Sequence, residues 1–302
     1  MAFNFKNIFK KKETKKPETP SEKFWSWIKT IFWAVVVVMI INGIAIASFV
    51  VPTGSMENTV MTGDFLFVNK FIYGPTTPQV VPFFNIPLPF YKFPAPKDPE
   101  KGDVIVFIFP GMREEVKSPV FQYYLKRCVA TAGDTLQIKD NHLFINGKES
   151  TLPEHAVIDY SDYEDPSDKF RTFPVGMNYT RNNYGPIRIP KEGDVIKLTQ
   201  ENYREWATFI GREGHEIENT GTSILIDGKV ITKYKVERNY CFGMGDNRDH
   251  SLDSRYWGFI PYENVVGTPM IVYWSWDTNL PLARLFDKFS TIRFDRFLNI
   301  IR

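Results

Sequence analysis

Residues 123–129 read Tyr-Tyr-Leu-Lys-Arg-Cys-Val, and this stretch decides the fold class. Its aromatic and β-branched ends are typical of a strand. In a strand, successive side chains point to opposite faces, so the Lys126 side chain lies on the other face from those of Leu125 and Arg127. Residues 65–68 and 104–109 have the same apolar, strand-forming composition and are bounded by Gly-Asp turn formers. The sequence therefore predicts a mainly β chain downstream of residue 51.

Two helical patterns interrupt or follow these strands. Residues 203–210 place apolar side chains at helical spacing and end at Gly211, which predicts one short helix. Residues 281–302 repeat the i, i+3, i+4, i+7 pattern with basic residues between the apolar ones, which predicts a C-terminal amphipathic helix. Binding to a membrane interface and packing against its own domain are equally open for this helix.

Upstream of the strands lies a segment long enough to span a bilayer. Residues 31–51 contain no charged side chain, and 21 residues cover roughly 30 Å at about 1.5 Å per residue. We expect a transmembrane helix here, preceded by a basic cytoplasmic tail at residues 1–30, because lysines cluster on the cytoplasmic side of a span. The alternative is a cleaved secretory signal, but the apolar run exceeds the usual length of one.

Composition excludes several classes of protein. The 302 residues are 43% hydrophobic with a net charge of only +2, which excludes a disordered chain and gives no basic face for nucleic acid. Only Cys128 and Cys241 are present, so no disulfide framework is possible. Both lie in apolar contexts, which favours buried free thiols over one long-range disulfide.

Two residues offer nucleophilic chemistry. Ser55 follows Pro52-Thr53-Gly54 just after the apolar run, and a serine hydroxyl attacks a carbonyl only when a base removes its proton. Lys126 serves as that base if burial in its apolar strand lowers its pKa enough to keep it neutral. Taken alone, Ser55 fits an ordinary turn and Lys126 an edge-strand lysine whose ammonium reaches solvent. Their combination indicates a serine–lysine hydrolase.

The segment Gly245-Asp-Asn-Arg-Asp-His-Ser-Leu-Asp-Ser-Arg255 is dense in carboxylate, amide and guanidinium groups. Such density favours a hydrogen-bonded network over a random loop. A rival base is His250, which with Ser251 and Asp249 would form a Ser-His-Asp arrangement. None of the four histidines has metal-ligand spacing, so we expect no metal and no cofactor.

These motifs, in this order, resemble those of the bacterial type I signal peptidases, a family of serine–lysine peptidases. The resemblance covers the apolar anchor, Pro-Thr-Gly-Ser-Met, Lys-Gly-Asp-Val-Ile-Val-Phe, Tyr-Leu-Lys-Arg-Cys-Val and the Gly-Asp-Asn-Arg-Asp segment. It implies an extracytoplasmic β catalytic domain formed by residues 52–144 and 241–280. Residues 145–240 match poorly and look like an inserted, family-variable, smaller β-rich region.

The resemblance also implies roles for individual residues. Ser55 is the nucleophile and Lys126 the general base, and the Ser55 N–H and Thr53 hydroxyl form the oxyanion hole. Ser251 holds the lysine ammonium, and two supporting ion pairs join Arg127 to Asp246 and Asp253 to Arg255. Shallow apolar substrate pockets are expected from Phe49, Val51, Met56, Tyr124 and Leu125.

The activity so implied is that of a membrane-bound endopeptidase. It would cleave N-terminal signal peptides from secretory preproteins after small residues of the Ala-x-Ala type, through an acyl-enzyme intermediate. The resemblance places it in the bacterial plasma (inner) membrane as a single-pass protein with a cytoplasmic N-terminus. Ser55 lies four residues past the apolar run, so the site is expected at the outer bilayer surface. The alternative function is a catalytically inactive, membrane-anchored binding or assembly protein on the same scaffold.

Overall fold

The computed structural model describes residues 19–81, 86–158 and 166–301, so most of the predicted basic tail lies outside the described residues. The helices are α1 (Pro20–Ile44), α2 (Tyr203–Arg212), α3 (Ser254–Trp257) and α4 (Leu285–Ser290). The strands up to residue 149 are β1 (Ile46–Val50), β2 (Asp64–Asn69), β3 (Val80–Val81), β4 (Ile86–Pro87), β5 (Val104–Ile108), β6 (Tyr123–Ala130), β7 (Thr135–Lys139), β8 (His142–Ile145) and β9 (Lys148–Glu149). The later strands are β10 (Tyr184–Arg188), β11 (Val195–Lys197), β12 (Ile217–Asn219), β13 (Ile224–Ile226), β14 (Lys229–Val230), β15 (Lys233–Lys235), β16 (Tyr240–Met244), β17 (Ile260–Pro261), β18 (Val265–Ser275) and β19 (Asn299–Ile300). The mainly β fold class predicted from the sequence is confirmed.

Helix α1 is the one helix among the described residues that is long and apolar enough to cross a membrane. A capping box starts it, because Thr19 accepts a hydrogen bond from the Glu22 N–H and the Glu22 carboxylate accepts one from the Thr19 N–H. Its 25 residues extend about 38 Å, and Gly43 is its single buried residue. Its other described residues are exposed or half-buried.

The predicted bounds of this span, 31–51, are wrong at both ends. The helix begins at Pro20, and it ends at Ile44 because residues 46–50 form β1 and pair with β2, with Phe49 opposite Leu66. A hydropathy pattern cannot mark this boundary, since a buried strand and a membrane helix are both continuously apolar. The last apolar residues of the run therefore belong to the extramembrane sheet.

The main sheet carries the candidate site. Its strand order is β1-β2-β18-β5-β6-β16-β17, with β19 added beside β18, and every pairing is antiparallel. Strand β5 pairs with the whole length from Tyr123 to Arg127 of β6, whereas the pairing of β6 with β16 involves only Arg127 to Ala130. The other edge of the first half of β6 is therefore unpaired by the strands that the structure describes.

A second, four-stranded sheet has the order β10-β7-β8-β9, and small sheets β11-β15 and β12-β13-β14 follow it in the chain. Helix α2 packs here and confirms the helix predicted at 203–210. The buried cluster of this region also includes Ala130 and Phe242 from the main sheet. Strand β7 precedes residue 145, so the second sheet extends beyond the segment predicted as an insertion.

Two further buried clusters lie in the main sheet. One surrounds Ile105 and contains both Cys128 and Cys241, which are fully buried and free. The prediction of buried free thiols is therefore confirmed. The other cluster packs Val51 and Met56 against Leu66 and Val106, and it forms the floor beneath Ser55.

The predicted continuous helix at 281–302 is wrong. The described part of this segment contains 3₁₀ turns at Leu282–Arg284 and Phe294–Arg296, with the six-residue α4 between them and β19 after them. Strand β19 pairs with β18 through Ile271 opposite Ile300. Tertiary pairing with an available strand overrides the helical periodicity of a short segment, whose own helical preference is marginal.

Candidate active site

The segment that carries Ser55 lies between β1 and β2 and is fixed to the segment after β16. The Asn247 N–H donates to the Ser55 carbonyl at 3.1 Å, and the Asn247 side-chain amide donates to the Gly54 carbonyl at 3.2 Å. The Ser55 side chain is buried, with a relative exposure of 8% for the residue. Two hydrogen bonds from Asn247 thus hold the backbone around the hydroxyl.

Gly245 brings these two segments into direct contact. A Cβ on Gly245 would collide with the Ser55 carbonyl oxygen and with the Ser251 hydroxyl group. Only glycine permits this close approach of two backbones. Gly245 thereby fixes the distance between the serine segment and the polar segment that follows β16.

Lys126 on β6 reaches Ser55 directly. Its ammonium nitrogen lies 2.7 Å from Ser55 Oγ and donates to the Leu125 carbonyl at 3.1 Å. Lys126 is 4% exposed, and this burial lowers the pKa of its ammonium to about 8, since removal from water penalises the charged form. No carboxylate forms an ion pair with it among the described residues, so the distance and the lowered pKa both suit a base acting on Ser55.

Both predicted ion pairs are present, and both are buried. The Arg127 guanidinium donates from Nε at 2.8 Å and from a terminal nitrogen at 2.7 Å to the two oxygens of Asp246. Asp246 also accepts from the Thr59 hydroxyl at 2.6 Å. Such two-pronged pairing is the strong form of an arginine–carboxylate contact. It clamps β6 to the segment after β16, directly behind Lys126.

The second pair lies within the polar segment itself. Arg255 donates to both Asp253 oxygens at 2.9 Å, and Asp253 also accepts from the Gly245 N–H at 3.1 Å. Burial acts to raise the pKa of the Asp253 carboxyl, but Arg255 and these hydrogen bonds outweigh it and hold that pKa below its usual range. The pair therefore supports the backbone that contacts Ser55.

Ser251 does not hold the lysine ammonium, contrary to the prediction. Its hydroxyl is buried and has no hydrogen-bond partner among the residues that the structure describes. The ammonium instead uses Ser55 and the carbonyl of its own strand. The motif predicts that Ser251 lies near Lys126. It cannot predict whether the two side chains are close enough to form a hydrogen bond.

The rival arrangement around His250 is wrong as well. Within the described part of the chain, the Ser251 hydroxyl makes no hydrogen bond to an imidazole. His250 Nδ1 lies 3.3 Å from the Asn247 side-chain oxygen, and the residue is exposed at the rim of the site. It is therefore not the base of a Ser-His-Asp triad built on Ser251.

A cavity of about 500 Å³ opens beside Ser55 and Lys126. Its walls include all five predicted pocket residues and Thr53, which is exposed: Phe49, Val51, Thr53, Met56, Tyr124 and Leu125. Sequence reasoning missed other lining residues: Val50, Pro52, Leu66, Val106, Gln122, Tyr123, His250 and Leu252. Alternation along β2 and β5 was the available signal for Leu66 and Val106. The cavity is mainly apolar and suits small aliphatic side chains.

Two hydrogen-bond donors beside the Ser55 hydroxyl have no partner among the described residues. Within the described parts of the chain, neither the Ser55 N–H nor the Thr53 hydroxyl makes a hydrogen bond. Also within these parts, no group of three or more His, Cys, Asp or Glu side chains is placed to hold a metal ion. The arrangement offers a nucleophile, an adjacent base and two free donors, which are the components of acyl transfer.

Comparison with known proteins gives consistent matches. The family described as signal peptidase, peptidase S26, matches residues 24–274. Signal peptidase I of Helicobacter pylori is 32% identical over 83% of this chain and 81% of its own length. Signal peptidase I of Aquifex aeolicus is 28% identical over 82% of this chain and 83% of its own. A crystal structure of a signal peptidase I from Enterococcus faecalis covers 57% of this chain and 97% of its own at 21% identity, with a TM-score of 0.26 that is too low to bear on the fold. The family match runs from α1 into β18 and includes both Ser55 and Lys126.

Proposed function

The chain belongs to the signal peptidase family, peptidase S26, and we propose that Ser55 and Lys126 carry out its reaction. It is a serine endopeptidase with the membrane signal peptidase function. The family, the enzyme class and this function, all predicted from the sequence, are therefore confirmed. The roles of individual residues remain predictions, which the geometry of the site supports.

The observation that carries the proposal is the 2.7 Å contact between Lys126 Nζ and Ser55 Oγ. A general base must lie within hydrogen-bond reach of the proton it removes. Lys126 satisfies this requirement in a buried setting that lowers its pKa to about 8, so a useful fraction is neutral near pH 7 to 8. In the neutral state its lone pair accepts the Ser55 proton.

The steps follow from these positions. Neutral Lys126 takes the hydroxyl proton as Ser55 Oγ bonds to the scissile carbonyl carbon, and the carbonyl oxygen becomes an oxyanion. The Ser55 N–H and Thr53 hydroxyl, which have no partner among the described residues, stabilise that charge. Lys126 then returns the proton to the leaving amine as the peptide bond breaks. In the second half of the reaction Lys126 deprotonates a water that hydrolyses the ester, and the proton returns to Ser55.

We expect the substrate to bind as an added strand. The first half of β6 has one edge unpaired by the described strands, next to Ser55, and an extended peptide is able to supply the missing partner. Its alternate side chains would then enter the apolar cavity lined by Phe49, Tyr124 and Leu125. Small residues of the Ala-x-Ala type fit this arrangement, as in the signal peptides of secretory preproteins.

We place helix α1 across the plasma membrane, with the N-terminus in the cytoplasm and the sheet on the outer side. The eight lysines in residues 1–51 all precede the apolar run and support that orientation. Only Ala45 separates the helix from β1, whose residues reach the cavity. The site is thus tied closely to the membrane exit of the helix.

The test is cleavage of a preprotein whose signal ends in Ala-x-Ala by the full chain in detergent. We expect Ser55→Ala and Lys126→Met each to reduce cleavage at least a thousandfold, as removal of a covalent nucleophile or its base does. Ser290→Ala and Lys139→Met are matched controls, since both side chains are exposed and outside the cavity. Persisting cleavage by Ser55→Ala would overturn the proposed mechanism.

A further inference from the structure

A second cavity, of about 640 Å³, lies between the main sheet and the β8–β9 hairpin. Its polar lining includes Lys101, Arg127, Lys148, Glu149 and Arg248, and it shares no lining residue with the substrate cavity. The proposed reaction uses none of its space. The cavity is therefore a separate feature of the molecule whose chemistry can be considered on its own.

Arg248 is the unusual residue of this cavity. It is 5% exposed, and its guanidinium donates from Nε to the Gly245 carbonyl at 3.0 Å. Among the described residues its two terminal nitrogens have no hydrogen-bond partner and it joins no ion pair. Burial lowers the pKa of the guanidinium to about 10, so it remains a cation at neutral pH. A buried cation without a paired anion is costly.

The other charged side chains that line the cavity also leave an excess of positive charge. Arg127 is neutralised by Asp246 behind it, whereas Lys101 and Lys148 lie exposed at the rim. Lys101 makes only a long 3.4 Å contact with Asp134. Glu149 is the one carboxylate among the described lining residues, and it is bound to His142 at 2.7 Å. The described lining thus presents an excess of positive charge around Arg248.

We propose that this cavity binds a phosphate-type oxyanion, held by the terminal nitrogens of Arg248 and attracted by Lys101 and Lys148. A guanidinium fork matches two oxygens of such an anion, and the contact is charge-assisted on both sides. The volume exceeds that of inorganic phosphate, so a phosphate ester also fits. Through Nε, the same guanidinium holds the Gly245 carbonyl, so the anion would stiffen the segment that contacts Ser55.

The test is isothermal titration calorimetry of the full chain in detergent with inorganic phosphate, at an ionic strength matched with sodium chloride. The chain carries Ser55→Ala, so the result does not depend on cleavage and its failure is separate from failure of the proposed function. We expect saturable one-site binding that Arg248→Gln weakens at least tenfold, the loss of about one charge-assisted hydrogen bond. Lys139→Gln removes the same charge from an exposed position outside the cavity and should leave the affinity unchanged.

A second variant keeps the test decisive if Arg248→Gln fails to fold. Lys101→Gln with Lys148→Gln changes only exposed side chains, and we expect it to weaken phosphate binding two- to fivefold. A parallel titration with glycerophosphoglycerol, the soluble headgroup of a phospholipid, distinguishes a lipid source of the anion from free phosphate. Saturable binding of either anion that depends on these residues supports the site. No saturable binding, or binding that neither variant weakens, overturns it.

Discussion

Lys126, at the centre of the site, has no carboxylate paired with its ammonium among the described residues. Lys126 has a serine hydroxyl and a backbone carbonyl as partners and no paired carboxylate among the described residues, so its buried charge is only weakly compensated. The nearby acids are already engaged, Asp246 by Arg127 and Asp253 by Arg255. The two ion pairs therefore support the backbone while leaving the lysine ready to lose its proton.

The first prediction concerns pH. Lys126 must be neutral to act, so kcat/KM should rise with pH and level off above the lysine pKa of about 8. One pH unit below that value the rate should be about a tenth of the plateau. Cleavage of a soluble peptide from pH 6 to 10 measures the profile. A flat profile across pH 7 to 9 would contradict a lysine base.

The second prediction concerns Thr53. Thr53→Ser keeps the hydroxyl and should retain most activity, whereas Thr53→Val keeps the shape and removes the donor. We expect the valine variant to lose about 10²- to 10³-fold in kcat with little change in KM, because an oxyanion donor acts in the transition state. Steady-state kinetics of both variants separate the two effects. If the Thr53→Val and Thr53→Ser variants were equally active, Thr53 would not be part of the oxyanion hole.

At the scale of elements, the site depends on where strands stop pairing. Strand β16 leaves β6 at Arg127, and this departure opens the edge of β6 beside Ser55. After β16 the chain turns at Gly245 and contacts the serine segment. One strand end therefore provides both the open edge proposed for the substrate and the support for the Ser55 backbone.

The third prediction tests this contact. Gly245→Ala places a methyl group against the Ser55 carbonyl and Ser251, and at least one of the two backbones must move. We expect a destabilisation of about 1–3 kcal/mol, measured by denaturant unfolding. The cleavage rate should fall by more than the smaller fraction of folded protein explains. A small displacement of Ser55 slows the reaction, because the reacting atoms are no longer correctly placed. A variant with wild-type stability and activity would show that the contact is dispensable.

At the scale of the whole molecule, one membrane-length helix is followed within two residues by the sheet that holds the site. The loop after β2 contacts the helix end, because the Thr76 N–H donates to the Gly43 carbonyl at 3.1 Å. Gly43 is needed there, since a Cβ would lie 2.6 Å from the Thr76 carbonyl oxygen. The sheet is thus fixed to the helix at more than one point.

The fourth prediction concerns topology. Cys128 and Cys241 are fully buried, so a membrane-impermeant maleimide should not label the native chain in intact spheroplasts. Lys139→Cys, on the exposed end of β7, should be labelled from outside. Lys23→Cys, at the start of α1, should react only after permeabilisation. The reverse pattern would invert the proposed orientation.

The sequence by itself determined the fold class and the family, and it supplied the residues proposed for the chemistry. Strand composition and alternation are local properties, and Ser55, Lys126 and the charged pairs are recognisable from motifs that a family shares. The sequence could not predict where α1 ends or which secondary structure residues 281–302 adopt. A continuously apolar run suits a helix and a buried strand equally, and the choice depends on whether a partner strand is available.

Only the tertiary structure decided the contacts between segments distant in the chain. It placed Lys126 2.7 Å from Ser55, and among the described residues it left Ser251 and the terminal nitrogens of Arg248 without a hydrogen-bond partner. These outcomes depend on differences of less than an ångström in the relative positions of residues that are up to two hundred positions apart in the chain. Such distances are set by the packing of the whole sheet, and no local pattern in the sequence encodes them.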